Sequence, residues 1–250
     1  MLTPETAELS CVTLRRGNSM SEPIRVLLAG ESWTSTSTHV KGWDFFSSST
    51  YEEGHHYLEE ALSGEEFAFE HLKGHDVSEH FPLSIEELDR YDVVVLSDIG
   101  ANSLLLHPKV WLHGETVPNR LRLLADWVRQ GGALVMCGGY LSFSGIYASA
   151  HYYRTPVEEV LPVEMFTHDD RMEAPHGARV VTIDTGHPIV SDLAEIDGDP
   201  FIASWDIGQG RSFVWTTDIG PHWCPQPFVT WEGYRQVWQN AVKWLARRDS

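Results

Sequence analysis

Positive charge is scarce in this chain: 18 Lys and Arg stand against 36 Asp and Glu over 250 residues, a formal charge of −18 at pH 7. Such a surface repels phosphate backbones and anionic lipid, so neither nucleic acid nor a membrane surface is expected as a partner. Cysteine is scarce too. Cys11, Cys137 and Cys224 are odd in number, widely spaced and without a C-x-x-C pair. That pattern builds no disulfide framework and no thiolate metal site, and it fits a reducing, cytoplasmic setting. No apolar run approaches the ~20 residues of a membrane span. The N-terminal stretch MLTPETAELSCVTLRRGNSM has no continuous apolar core of a secretory signal.

What is present is the composition of a folded domain, with 42% hydrophobic residues, ten Trp, eight Tyr and ten Phe. Residues 1–20 carry no clear period and read as a disordered tail, with Met20 as a candidate initiator; residues 21–250 read as one domain. Ile24–Ala29, ending at Gly30, is an apolar run of the kind buried on both faces of a sheet. Phe67–Leu72, Tyr91–Asp98 and Ala133–Cys137 are further strands. Between them, helices are predicted at Tyr51–Leu62 (apolar Tyr57, Leu58, Ala61 and Leu62), after the capping box Ser84-Ile85-Glu86-Glu87, and after Pro118 (apolar Leu121, Leu124, Ala125 and Val128). Short alternation of strand and helix implies a parallel sheet covered on both faces. Further on, Thr155-Pro156-Val157-Glu158 predicts a helix start with Thr155 as its cap. Strands are expected around Ala178–Asp184, Pro200–Asp206 and Arg211–Asp218, the last two joined by the tight turn Ile207-Gly208-Gln209-Gly210. A final helix presents Tyr234, Val237, Trp238, Ala241 and Leu245 on one face. The expected fold is an α/β domain with a mostly parallel sheet and an antiparallel C-terminal extension.

Ligands bind open parallel sheets at the carboxyl ends of the strands. Four predicted strands end in Gly30-Glu31-Ser32-Trp33, Ser97-Asp98, Cys137-Gly138-Gly139-Tyr140 and Asp218-Ile219-Gly220-Pro221-His222-Trp223. Two acids, a thiol, a glycine pair and a histidine thus share one rim. Cys137, at a strand-to-turn junction before glycines, is placed as in a nucleophile elbow, with His222 as its base; it is equally placed as a small buried apolar residue. The elbow pattern wants glycine on both sides, and the earlier position is Val135. Glu31, His39, Asp44, His55 and His56 are conceivable metal ligands, yet no H-E-x-x-H or H-x-H spacing occurs and adjacent His55 and His56 face apart on a helix, so no metal or other cofactor is expected. Trp33, Trp43, Trp111, Trp205 and Trp223 are candidates for stacking on a sugar or flat ligand, or for packing.

The segments Gly131–Phe143 and Thr217–Trp223, together with Thr155–Pro162, resemble a bacterial class I glutamine amidotransferase-like family related to trehalose-utilisation (ThuA-like) domains. The resemblance spans about residues 23–247 and implies a flavodoxin-like three-layer α/β/α sandwich. It implies further that Cys137 and His222 match two members of a Cys-His-Glu triad that releases ammonia from glutamine through a thioester. The third member is missing: two residues beyond His222 stands Cys224, so Asp218 or Glu31 would have to orient the imidazole.

Two readings of function are open. In one, the chain is an amidotransferase-like hydrolase of an amide or related acyl compound, with Cys137 as nucleophile, His222 as base and backbone N–H groups at Gly138 and Gly139 facing the oxyanion. In the other, it binds a small carbohydrate-like molecule without thiol chemistry, through Glu31, Asp98, Tyr140 and the tryptophans. Glu31–Thr50, in which ten of twenty residues are Ser or Thr, is expected to be a packed loop over the sheet edge. Trp33, Trp43 and Phe46 would then serve as a lid or as a contact in a homo-oligomer, because apolar area left in water costs roughly 25 cal/mol per Å².

Overall fold

The computed structural model describes residues 22–173, 186–190 and 201–248. In chain order the strands are β1 (Ile24–Gly30), β2 (Ser32–Lys41), β3 (Asp44–Glu53), β4 (Phe67–Lys73), β5 (Val93–Ser97), β6 (Ala133–Cys137), β7 (Ile202–Ile207) and β8 (Gly210–Trp215). The helices are α1 (His56–Ala61), α2 (Gly74–His80), α3 (Ile85–Leu88), α4 (Ala101–Leu105), α5 (Pro108–Trp111), α6 (Arg120–Arg129), α7 (Gln226–Val229) and α8 (Glu232–Leu245).

Strand alternation builds the layers. In β1, Ile24, Val26 and Leu28 face one core while Leu27 and Ala29 face the other. In β5, Val93 and Val95 alternate with Val94 and Leu96 in the same way. The first face is covered by α1, α7 and α8, with Trp238 and Tyr234 packed on Trp215 of β8. The second is covered by α2, α3, α4 and α6. The six-stranded sheet runs β4-β1-β5-β6-β8-β7; its first five strands are parallel, and β7 closes the edge antiparallel to β8 through the pair Ile207↔Gly210. This is the flavodoxin-like α/β/α sandwich with an antiparallel extension that was expected. The helix starts are locally encoded: Ser84 accepts the Glu87 N–H at α3, and Asn119 accepts two N–H groups at α6.

Two expectations are corrected. The Ser/Thr-rich stretch is a regular hairpin, not a loop: β2 and β3 pair from Ser32↔Glu53 to Lys41↔Asp44 around Gly42-Trp43, with Gly42 at φ 68°. Alternating hydroxyl residues suit an exposed ladder, where Thr36 meets Ser49 and Thr38 meets Ser47, each at 3.0 Å. Thr155 caps no helix. Glu158–Val160 is a single 3-10 turn, and Glu158 instead accepts the N–H groups of Arg154 and Met165. The strand expected at Ala178–Asp184 lies outside the described residues.

One buried cation joins the second-face helices. Arg120 is 1% exposed, and its guanidinium donates to the carbonyls of Val77 and Ser78 in α2, Ser103 and Leu104 in α4, and Phe81. They lie at the C-terminal ends of α2 and α4, where carbonyls run short of intrahelical donors; the Val77 carbonyl also accepts the Phe81 N–H. Burial pulls its pKa down to about 10. Arg120→Met is expected to lower the unfolding free energy by about 3 kcal/mol or more, since several buried acceptors lose their donor at once; urea denaturation followed by circular dichroism measures it.

Candidate functional site at the carboxyl ends of the strands

Parallel pairing brings Gly30 of β1 beside Ser97 of β5, and Ser97 beside Cys137 of β6. The chain must turn sharply as it leaves these strands. Gly30 has φ 108°, and a Cβ there would lie 1.9 Å from the Ser97 carbonyl oxygen. Glu31 comes next at φ 52° and Asp98 stands at φ 45°, two acids in the left-handed region that side chains other than glycine enter at a cost. The turn swings the Glu31 carboxyl under the rim, where the residue is 1% exposed. Its Oε2 accepts the Ser97 hydroxyl at 2.5 Å, and its Oε1 lies where a Cβ on Gly54 would come within 2.5 Å. Glycine at 54 makes that room.

Asp218, also 1% exposed, completes a buried pair. Its turn is held from behind: Trp215 donates to the Asp218 carbonyl, Tyr234 to the Ile219 carbonyl, and the Gly220 N–H to Asp218 Oδ1. Glu31 and Asp218 are buried close enough to feel each other's charge, so the pair does not ionise twice and Glu31 keeps its proton. Burial first, and then the Asp218 charge, hold the Glu31 pKa well above its ordinary value. Burial also raises Asp218, and it raises Asp98, which accepts the Leu141 N–H at 2.7 Å.

Above this pair stands His222, 42% exposed at its side chain, with Nδ1 3.8 Å from Asp218 Oδ2. The Trp33 ring stacks on the imidazole at 5.2 Å and 10°. Tyr140 meets His222 edge-on at 5.8 Å and Trp223 at 4.6 Å. An aromatic wall of Trp33, Tyr140 and Trp223 thus surrounds one exposed imidazole, with carboxyls behind it.

Of the residues expected at the rim, Glu31, Trp33, Asp98, Tyr140, Asp218 and His222 converge. The others are placed differently. Cys137 ends β6 inside the sheet, fully buried among the apolar residues of the α8 face, and it is absent from the positive-φ positions that a nucleophile elbow requires. Burial, with the Glu31 and Asp218 charges, pushes its thiol well up, so it stays protonated at neutral pH. The Gly138 N–H, expected to face an oxyanion, donates to the Trp215 carbonyl at 2.7 Å. Gly139, at φ 143°, packs closely on the Asp98 side chain. Trp43 stands at the hairpin tip, 101% exposed, and Phe46 is 54% exposed; neither packs down as a lid, whereas Trp33 at the hairpin root does reach His222. Cys224, in the place of the triad Glu, donates to the Gly220 carbonyl and has its pKa pushed up to about 12 by burial. Sequence reasoning did not single out Ser97 as the hydroxyl bridge to Glu31; a lone serine ending the run Val93–Leu96 was the signal.

The buried proton has a thermodynamic signature. The native chain keeps it on Glu31, whereas the unfolded chain releases it once the pH passes the ordinary value of 4.5. The stability it contributes is therefore full below that value and is lost as the pH rises toward the native pKa. Glu31→Gln, which copies the protonated carboxyl in shape, is expected to fold and to show a flatter decline in urea midpoint than the wild type between pH 5 and 8.

Comparison with known proteins agrees with the fold. The chain matches the family model described as "Putative glutamine amidotransferase" over residues 25–196 and 191–247. Its structure is similar to that of the cytoplasmic protein STM3548 from Salmonella typhimurium, at 37% identity over 88% of this chain and 98% of that one, with a TM-score of 0.82. It is also similar to the cytoplasmic protein STM1381 from Salmonella typhimurium LT2, at 36% identity over 89% and 99% of the two chains, with a TM-score of 0.84. No curated protein matches the chain significantly. No helix among the described residues is long and apolar enough to cross a membrane. With nearly all of the described domain matched, the chain belongs to the glutamine amidotransferase-like family.

Proposed function

We propose that the strand-end site binds a small carbohydrate-like molecule in the cytoplasm and works on it through His222 and carboxyl groups, not through a thiolate. The observation that carries this reading is the inversion of exposure between the two triad candidates: His222 is exposed and backed by Asp218, while Cys137 is wholly buried. Asp218 behind Nδ1 favours the imidazole orientation that leaves Nε2 as the far ring nitrogen, the arrangement of a general acid or base. Trp33, Tyr140 and Trp223 offer flat apolar faces beside polar groups, the surface a polyhydroxy ring recognises. The family description favours a second reading, amide hydrolysis through Cys137 and His222. It would need the Cys137 thiol to ionise beside two carboxyl groups that raise its pKa.

Alkylation and binding separate the two. Iodoacetamide at pH 7.5 is expected to leave Cys137 and Cys224 unlabelled in the native protein and to label both in urea, with no ammonia released from L-glutamine. Tryptophan fluorescence titrated with a panel of neutral mono- and disaccharides is expected to find a saturating ligand. Its affinity should be unchanged in Cys137→Ser and on the order of tenfold weaker (about 1.4 kcal/mol) in Trp33→Ala. Glutamine turnover that disappears in Cys137→Ser would reverse the assignment.

The same reading assigns the β2–β3 arm to contact with a second copy of the chain. A two-stranded hairpin alone is marginal in water, and this one exposes Val40, Trp43, Phe45 and Phe46. Sedimentation velocity is expected to show a homo-oligomer that Trp43→Ser with Phe46→Ser dissociates, without loss of secondary structure; a monomeric wild type would end this assignment.

A further inference from the structure

At the root of the arm, where β3 hands over to α1, a second polar cluster lies beside the site. Glu53, His55 and His71 present one ligand atom each within 4.8 Å of one another. His71, on β4, has a side chain only 9% exposed. Its Nε2 stands 2.8 Å from the Gly30 carbonyl oxygen. A carbonyl only accepts, so Nε2 carries the proton and Nδ1 is left with its lone pair, 4.0 Å from Glu53 Oε2. A backbone carbonyl fixing the far nitrogen is the partner that metal-binding histidines characteristically have.

His55 repeats the pattern. Its Nε2 lies 3.5 Å from Glu59 Oε2, while its Nδ1 is buried with no hydrogen-bond partner, 3.5 Å from the same Glu53 oxygen. The two imidazoles stack at 4.0 Å. One nitrogen of each imidazole thus converges on a single carboxylate oxygen, a space that a shared cation would fill. Lys73 pairs with the other oxygen, Oε1, at 2.7 Å. The remaining neighbours are His56, 4.6 Å from the His55 ring, and the exposed Glu59.

We infer that Glu53, His55 and His71 form a binding site for a divalent transition-metal ion of the zinc class, with a fourth position open to water. Two imidazoles and one carboxylate are a ligand set that suits zinc, and contraction from the present spacing to bond lengths of about 2.0–2.2 Å is a side-chain adjustment. The ion would clamp the end of β3 to β4. It would also brace Glu31 from both sides, because His71 holds the Gly30 carbonyl and Gly54 N–H donates to the Glu31 carbonyl at 3.0 Å.

The test uses the full chain, stripped with a chelator and dialysed. Titration calorimetry with Zn²⁺ is expected to show one equivalent bound per chain, and thermal unfolding is expected to shift upward in Zn²⁺. Glu53→Gln at the end of β3 and His55→Ala just before α1, both checked for folding by circular dichroism, should each weaken binding tenfold or more and abolish the shift. Lys73→Met, which removes a competing cation, should bind at least as tightly as the wild type. Absence of a saturable site in the wild type, or a site that survives both Glu53→Gln and His55→Ala, would overturn the proposal.

Discussion

Two carboxyl groups placed side by side away from water cannot both be ionised, and much of this molecule's functional edge is arranged around that constraint. Glu31 and Asp218 come from opposite ends of the sequence and meet only because β1, β5, β6 and β8 are neighbours in one parallel sheet. A proton kept on Glu31 lets the pair remain buried without a cation. Its surroundings are specific to that need: a serine hydroxyl for one oxygen, a glycine where a larger residue would collide, and a turn held by Trp215 and Tyr234. Left-handed backbone at Glu31 and Asp98 costs on the order of 1–3 kcal/mol each, which the largely apolar strands beneath offset.

Under the proposed function, the same constraint would separate family membership from thiol chemistry. Burial first, and then two neighbouring acids, discourage the Cys137 thiol from becoming a thiolate, and the residue packs within the apolar core. The fold is retained, and of the two residues that match a triad it is the imidazole that is exposed. Electrostatic support that a triad would draw from a glutamate two residues beyond the histidine comes here from Asp218, four residues before it.

Much of the fold was legible because buried parallel strands leave a strong mark: Ile24–Ala29, Val93–Leu96 and Ala133–Cys137 are apolar on both faces, and Tyr234 to Leu245 keep helical spacing. The hairpin was harder to read. Its Ser and Thr residues are as common in linkers as in exposed ladders, and only the pairing Ser32↔Glu53 settles which they form. At the site, the rim residues could be located from the few positions directly after each strand. Their exposure could not, since Cys137 and His222 differ by depth and not by any pattern around them. His71 was hidden for a related reason: it lies within a strand, sixteen positions from His55, and they meet through a sheet edge that spacing rules for helices do not describe.

The arm leaves the domain at Ser32 and returns at Glu53, a directly opposed pair, so the chain departs and re-enters at nearly one point. Such an excursion is geometrically a graft. Residues can be added or removed in matched pairs at its far end while the root bonds at Glu31 and Gly54 stay unaltered. The pleat imposes one rule of parity: an even change on each strand keeps every side chain on its face, and an odd change turns the outer part over. The reach of the arm is therefore free to vary across evolution or engineering in steps of two, whereas the carboxyl pair at its base sees the same backbone whatever the arm's length.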